Sequence, residues 1–105
     1  MRRGTTPTHT FKPKTKVGEL IDMRSAQVIY MTYKQDGKTV LEKTKDQMEI
    51  TEEEMVIHLT QEDTLAFSTL GDVEIECRAR FADQSAIASC ILKTTAQRIL
   101  KDGVI

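Results

Sequence analysis

From Val73 to Phe81 the chain alternates without a break. Val73, Ile75, Cys77, Ala79 and Phe81 are apolar, and Glu74, Glu76, Arg78 and Arg80 stand between them. Successive side chains of a strand point to opposite faces, so this segment predicts a strand with one apolar and one fully charged face. Met55, Ile57 and Leu59 alternate with Val56, His58 and Thr60 in a second strand. Residues 25–33 are β-branched and aromatic with apolar positions on both faces, which fits a central strand. Residues 38–45 follow as its partner, and residues 85–96 form the last long strand. Residues 5–12 make a first strand, with Pro7 tolerable near its start, and residues 47–50 a short one.

The punctuation agrees. Gln35-Asp36-Gly37-Lys38 is a hairpin signal, because glycine takes the positive φ that a two-residue turn needs. Ala82-Asp83-Gln84-Ser85 predicts a second hairpin, and Thr51-Glu52-Glu53-Glu54 a charged turn. Thr60-Gln61-Glu62-Asp63 has the form of a capping box and predicts one helical turn over residues 61–67, anchored by Leu65 and Phe67. In residues 13–23, Val17, Leu20 and Ile21 have helical spacing, interrupted by Gly18. Six or seven short strands with one short helical turn predict an antiparallel β-sandwich.

A two-residue turn at Asp83-Gln84 would set Phe81 against Ala86, Ala79 against Ala88, Cys77 against Cys90 and Ile75 against Leu92. That register makes the two cysteines core neighbours. No apolar leader precedes them, so reduced thiols are expected.

Length and composition narrow the class. The 105 residues suit a single domain, residues 1–105, and no window approaches the ~20 apolar residues of a membrane-spanning helix. Charge is balanced overall but not along the chain. Five of the 15 Lys and Arg (Arg2, Arg3, Lys12, Lys14 and Lys16) lie in residues 1–16, where there is no Asp or Glu. The rest carries ten cations against 16 acids. Residues 46–63 are the acidic extreme, with no Lys or Arg. The chain therefore reads as a basic N-terminal arm, about residues 1–12, on an acidic body. Such a body repels phosphate, and no nucleic-acid partner is expected.

Catalytic chemistry finds little purchase. His9 lies in the arm, His58 falls on an outward strand phase, and Cys77 and Cys90 fall on apolar phases, so no nucleophile has a base beside it. Two distant Cys and two distant His do not make a zinc site. Glu52-Glu53-Glu54 lacks the pattern of a calcium loop and reads as a solvated turn. The five glycines are scattered, without a phosphate-binding loop. The reading is non-enzymatic, with no catalytic, metal or cofactor residues and no small-molecule substrate or membrane expected. The candidate interaction surface is Arg2, Arg3, Lys12, Lys14 and Lys16 together with the charged strand face Glu74, Glu76, Arg78 and Arg80. A sugar- or host-surface-binding module is the alternative, and it would need exposed aromatics.

Two resemblances add to this. Leu59-Thr60-Gln61-Glu62-Asp63-Thr64 with Phe67 resembles the turn before strand F of immunoglobulin domains, which implies an immunoglobulin-like sandwich. More widely, Arg2-Arg3-Gly4-Thr5-Thr6-Pro7-Thr8-His9-Thr10-Phe11 resembles the opening of small proteins encoded in prophages of Gram-positive gut bacteria. Residues 38–43, 59–67, 73–75 and 98–103 are similar to the same group. The layout of an Asp-Gly hairpin, a Leu-Thr-x-Glu turn and a last long hairpin is similar to the N-terminal sandwich domain of phage upper baseplate proteins. The resemblance implies a tail or baseplate component that binds other copies of itself or other tail proteins. It would be in the bacterial cytoplasm during assembly, and in the virion if incorporated.

Overall fold

In a computed structural model that describes residues 1–89 and 91–105, the chain folds as two antiparallel sheets packed face to face, the all-β sandwich that the alternation predicts. The strands are β1 (Thr8–Phe11), β2 (Ala26–Gln35), β3 (Lys38–Thr44), β4 (Glu49–Ile50), β5 (Met55–His58), β6 (Val73–Phe81), β7 (Ala86–Ala88) and β8 (Leu92–Thr94). One sheet has the order β1-β5-β4. The other has the order β3-β2-β6-β7, with β8 also paired to β6. The one α-helix among the described residues, α1 (Gln61–Leu65), links β5 to β6. Single 3₁₀ turns at Met23–Ser25 and Lys45–Gln47 lead into β2 and β4.

The apolar phases meet between the sheets. Ile29, Met31 and Tyr33 of β2 and Val73, Ile75 and Ala79 of β6 are buried against Met55 and Ile57 of β5, with Met23, Leu59 and Phe67 closing the ends. Burying a side chain of this size contributes roughly 1.5–3 kcal/mol, so this face outweighs any turn in holding the domain together. The Asp36-Gly37 turn has positive φ at both residues (55° and 73°), as a two-residue hairpin twisted to match its strands requires. The capping box is present: Asp63 N donates to Thr60 Oγ1 (3.1 Å) and Thr60 N to Asp63 Oδ2 (2.9 Å).

Three expectations are corrected. The first strand is shorter than residues 5–12, and it takes in His9, which is half-buried rather than part of a loose arm. Residues 13–21, whose structure the sequence pattern leaves open, form no helix. Ile21 N donates to Pro13 O (2.9 Å), Thr15 N to Glu19 O (2.8 Å), and Lys14 pairs with Leu20, so the segment doubles back as a β-flap with Gly18 at φ 86° near its tip. The Ala82–Ser85 loop has three residues, not two. Phe81 N donates to Ser85 O, and Gln84 takes φ 70°, a left-handed position that asparagine or glycine would have advertised.

The third correction follows from that loop. The register slips by one: Ala79 faces Ile87 and Arg78 faces Ala88. Ile87 thereby takes the inner phase, while Ala86 and Ala88 lie on the charged face. The expected register returns at β8, where Ile75 faces Leu92. The last strand is thus broken into β7 and β8. The proposed Cys77–Cys90 pairing falls on Cys90, outside the described residues. Cys77 itself is partly buried, and its carbonyl accepts from Ser89 N at 2.8 Å.

Candidate functional site

The charged face of β6 is held in place by what lies behind it. With Val73, Ile75 and Ala79 buried, Glu74, Glu76, Arg78 and Arg80 must project from the outer surface of the five-stranded sheet. Their cross-strand neighbours divide them. Glu74 lies between Lys34 of β2 and Lys93 of β8, so its charge is locally balanced. Glu76 faces Thr32, which in turn faces Glu42 and donates to it at 3.3 Å. Arg78 faces Tyr30 on one side and Ala88 on the other, and Arg80 faces Val28 and Ala86. Neither arginine has a carboxylate opposite it. Among the described residues, no carboxylate comes within 4.0 Å of either guanidinium.

Tyr30 completes this patch and was within reach of sequence reasoning. Ile29, Met31 and Tyr33 take the inner phase of β2, so Tyr30 has to point out, and the residue is 43% exposed. Tyr33 and Phe67 are buried, and Phe11 and Phe81 are half-buried. Tyr30 is thus the one exposed ring among the described residues, and the aromatic platform that would favour sugar binding is not formed.

The five N-terminal cations do not share a surface. Arg3 is turned inward: its Nε donates to Phe67 O (2.8 Å) and its Nη2 to Leu65 O (3.0 Å), with Asp102 at 3.8 Å. Arg2 pairs through its backbone with Gln97 in a parallel bridge, and its side chain stays exposed. Lys12, Lys14 and Lys16 are elsewhere, along the exposed strand of the β-flap.

The histidines are separated from the cysteine chemistry. His58 lies on the outer face of the three-stranded sheet, within 3.0 Å of Thr8 Oγ1 and 3.4 Å of Glu49. His9 points between the sheets, where its Nδ1 is 2.8 Å from the Tyr33 hydroxyl and the two rings stack at 5.8 Å. Burial lowers the His9 pKa, and burial, reinforced by the charge of Asp63, raises that of Tyr33. The shifts favour the neutral form of both groups, and their contact links β1 to β2 across the sandwich. Beside it, Lys43 Nζ meets Asp63 Oδ2 at 2.9 Å in a largely enclosed ion pair that ties β3 to α1. Among the described residues, no three His, Cys, Asp or Glu side chains gather as a metal-holding group, and no helix is long and apolar enough to cross a membrane.

No protein-family model matches the chain, and neither a curated protein nor a solved structure is significantly similar to it.

Proposed function

We propose that the chain is a non-catalytic assembly module of a phage tail or baseplate, docking through the outer face of its five-stranded sheet. The observation that carries this is the Arg78–Arg80 patch: two arginines beside an exposed tyrosine and three small apolar residues, with no carboxylate opposite. Arginine and tyrosine on a flat, water-accessible surface are the residues that interface centres favour, and they contribute most when a partner desolvates them. A partner that supplies a carboxylate to each guanidinium would gain bidentate hydrogen bonds that the free domain does not make. The resemblance of the N-terminal motif and the overall layout to prophage tail-region proteins supports placing that partner among other tail proteins or other copies of the chain.

The experiment is to purify particles and tail-assembly intermediates from an induced lysogen that carries either the native chain or the Arg78→Glu/Arg80→Glu variant. Both arginines are exposed, so the variant should keep its melting temperature. Recovery of the native chain with tail material, and loss of the variant, is the expected result. Absence of the native chain from particles and intermediates alike, or full incorporation of the variant, overturns the proposal.

A further inference from the structure

The two sheets differ in width, and the difference leaves an apolar surface open. The larger sheet carries β7 and β8 beyond β6, while the smaller one ends at β1. Ile87 and Leu92, opposite the buried Ala79 and Ile75, are 36% and 46% exposed, so the inner faces of β7 and β8 are left partly uncovered. The β-flap of residues 13–21 stands across from these faces. Between them runs a groove of about 790 Å³. Its floor is Met31, Ile75 and Cys77, and its walls are Phe11 and Leu92. The size is that of a small-molecule site.

The charged side chains among the described lining residues are of one sign. Lys12, Lys14 and Lys16 line it on the flap side, and no Asp or Glu is among the described lining residues, on a chain whose remainder is net acidic. The floor adds no charge of its own. Burial, reinforced by the charge of Glu76, pushes the Cys77 thiol up to about 11, so it stays protonated. Thioether and thiol sulfurs are soft, adaptable surfaces for alkyl chains. Lys12, Lys14 and Lys16 stand along one wall of this floor, the last two on a flap whose backbone hydrogen bonds close within itself (Ile21 N to Pro13 O, Thr15 N to Glu19 O). A linear apolar body can lie along the floor while an anionic head reaches the ammonium groups.

We propose that this groove is a binding site for a single-chain anionic amphiphile, an alkyl chain of about eight to twelve carbons that ends in a carboxylate or sulfate. The Arg78–Arg80 patch lies on the opposite face of the same sheet and has Ala88 in common with the groove, but the two are probed by different substitutions, so either proposal can fail without the other.

The test uses the whole chain and four probes below their micelle concentrations: octanoate, decanoate, dodecanoate and dodecyltrimethylammonium. Calorimetry gives affinity and stoichiometry, and amide chemical shifts give the location. One molecule should bind per chain, with affinity rising about fourfold for each added methylene, the worth of burying one CH₂ group. The shift changes should centre on residues 11–16, 75–77 and Leu92. The cationic probe should bind at least tenfold more weakly than dodecanoate, and raised salt should narrow that gap. Lys12→Glu/Lys14→Glu/Lys16→Glu alters only exposed side chains and should reverse the head-group preference.

Equal affinity for dodecanoate and dodecyltrimethylammonium would reduce the groove to indiscriminate apolar adsorption and overturn the proposal. So would an affinity that does not depend on chain length. So would groove amides that shift with protein concentration alone, since the occupant would then be a second copy of the chain.

Discussion

Ile75 and Glu76 are neighbours in sequence and opposites in environment. Ile75 is 6% exposed in the core, whereas Glu76 stands on the outer face across from Thr32. An aspartate at position 75 would desolvate a carboxylate at a site only 6% exposed, at several kcal/mol, against a total stability of ~5–15 kcal/mol. Ile75→Asp should therefore unfold the domain, while Glu76→Ala should stay within about 0.5 kcal/mol of the native chain. Thermal melts of the two variants decide this, and a larger loss from Glu76→Ala would mean the faces are reversed. Cys77 extends the argument to pH. Its thiol titrates at about 11 in the fold against an ordinary 9.0, and Tyr33 is shifted in the same direction. The unfolded chain therefore releases these protons first as pH rises. Their contribution is complete below pH 9 and is lost as pH climbs towards 11 and beyond. Denaturant midpoints at pH 7, 9 and 11 should hold steady over the first step and fall over the second. Iodoacetamide should label Cys77 slowly at pH 8 in the native state.

At the scale of the element, the connections between strands depend on single polar side chains. Gln35 ends β2 and is 6% exposed. Its Nε2 donates to Ser68 O (2.7 Å) and lies within 3.3 Å of the Leu70 and Gly71 carbonyls, and its Oε1 accepts from Ser68 N (2.7 Å). One amide thus organises the loop between α1 and β6. Gln35→Ala should cost about 1–3 kcal/mol, because it removes the side-chain partner of the part-buried backbone groups of Ser68. Gln35→Glu should cost more, since a carboxylate would face three carbonyl oxygens. Hydrogen exchange at Ser68 should quicken in both, and unchanged exchange there would remove Gln35 from this role. Nothing in the period-two pattern marks Gln35, because its partners lie more than 30 residues away. The strands themselves were legible wherever alternation ran for several residues, as in β6. So were the Asp36-Gly37 turn and the Thr60 cap, whose chemistry is local. The flap was not, because Val17, Leu20 and Ile21 fall at helical spacing, and the backbone bonds of Pro13 and Thr15 override it. The register at β7 failed on Gln84, which holds a positive φ without being glycine or asparagine. The groove was not legible at all, since it depends on one sheet being wider than the other. On the candidate surface, the four charged positions of β6 could be placed on one face. That Arg78 and Arg80 lack opposing acids depends on the pairing of β6 with β2 and β7.

At the scale of the whole molecule, the N-terminal residues act as a clasp rather than a tether. Arg3 N donates to Gln97 O at 3.1 Å and Gln97 N to Met1 O at 2.8 Å, so residues 1–3 run beside the segment that follows β8. The Arg3 guanidinium meanwhile holds the carbonyls of Leu65 and Phe67 at the end of α1. Three parts of the chain, remote in sequence, meet at one side chain. Gly4 makes the approach possible: its φ is 74°, and a Cβ placed there would lie 2.8 Å from Ile99 Cδ1. A solvated basic arm and a clasp predict different outcomes for the same substitutions. Hydrogen bonds from a charged group contribute roughly 1.5–3 kcal/mol each, and 1 kcal/mol moves the melting temperature of a domain this size by about 4–8 °C. Arg3→Ala should therefore lower the melting temperature by about 5 °C or more. Gly4→Ala should lower it too, through the strained φ and the contact with Ile99. Arg2→Ala removes an equal charge from an exposed side chain and keeps the backbone bridge to Gln97, so it should melt with the native chain. Arg3→Ala and Arg2→Ala melting together, both at the native temperature, would return residues 1–3 to the status of a solvated arm.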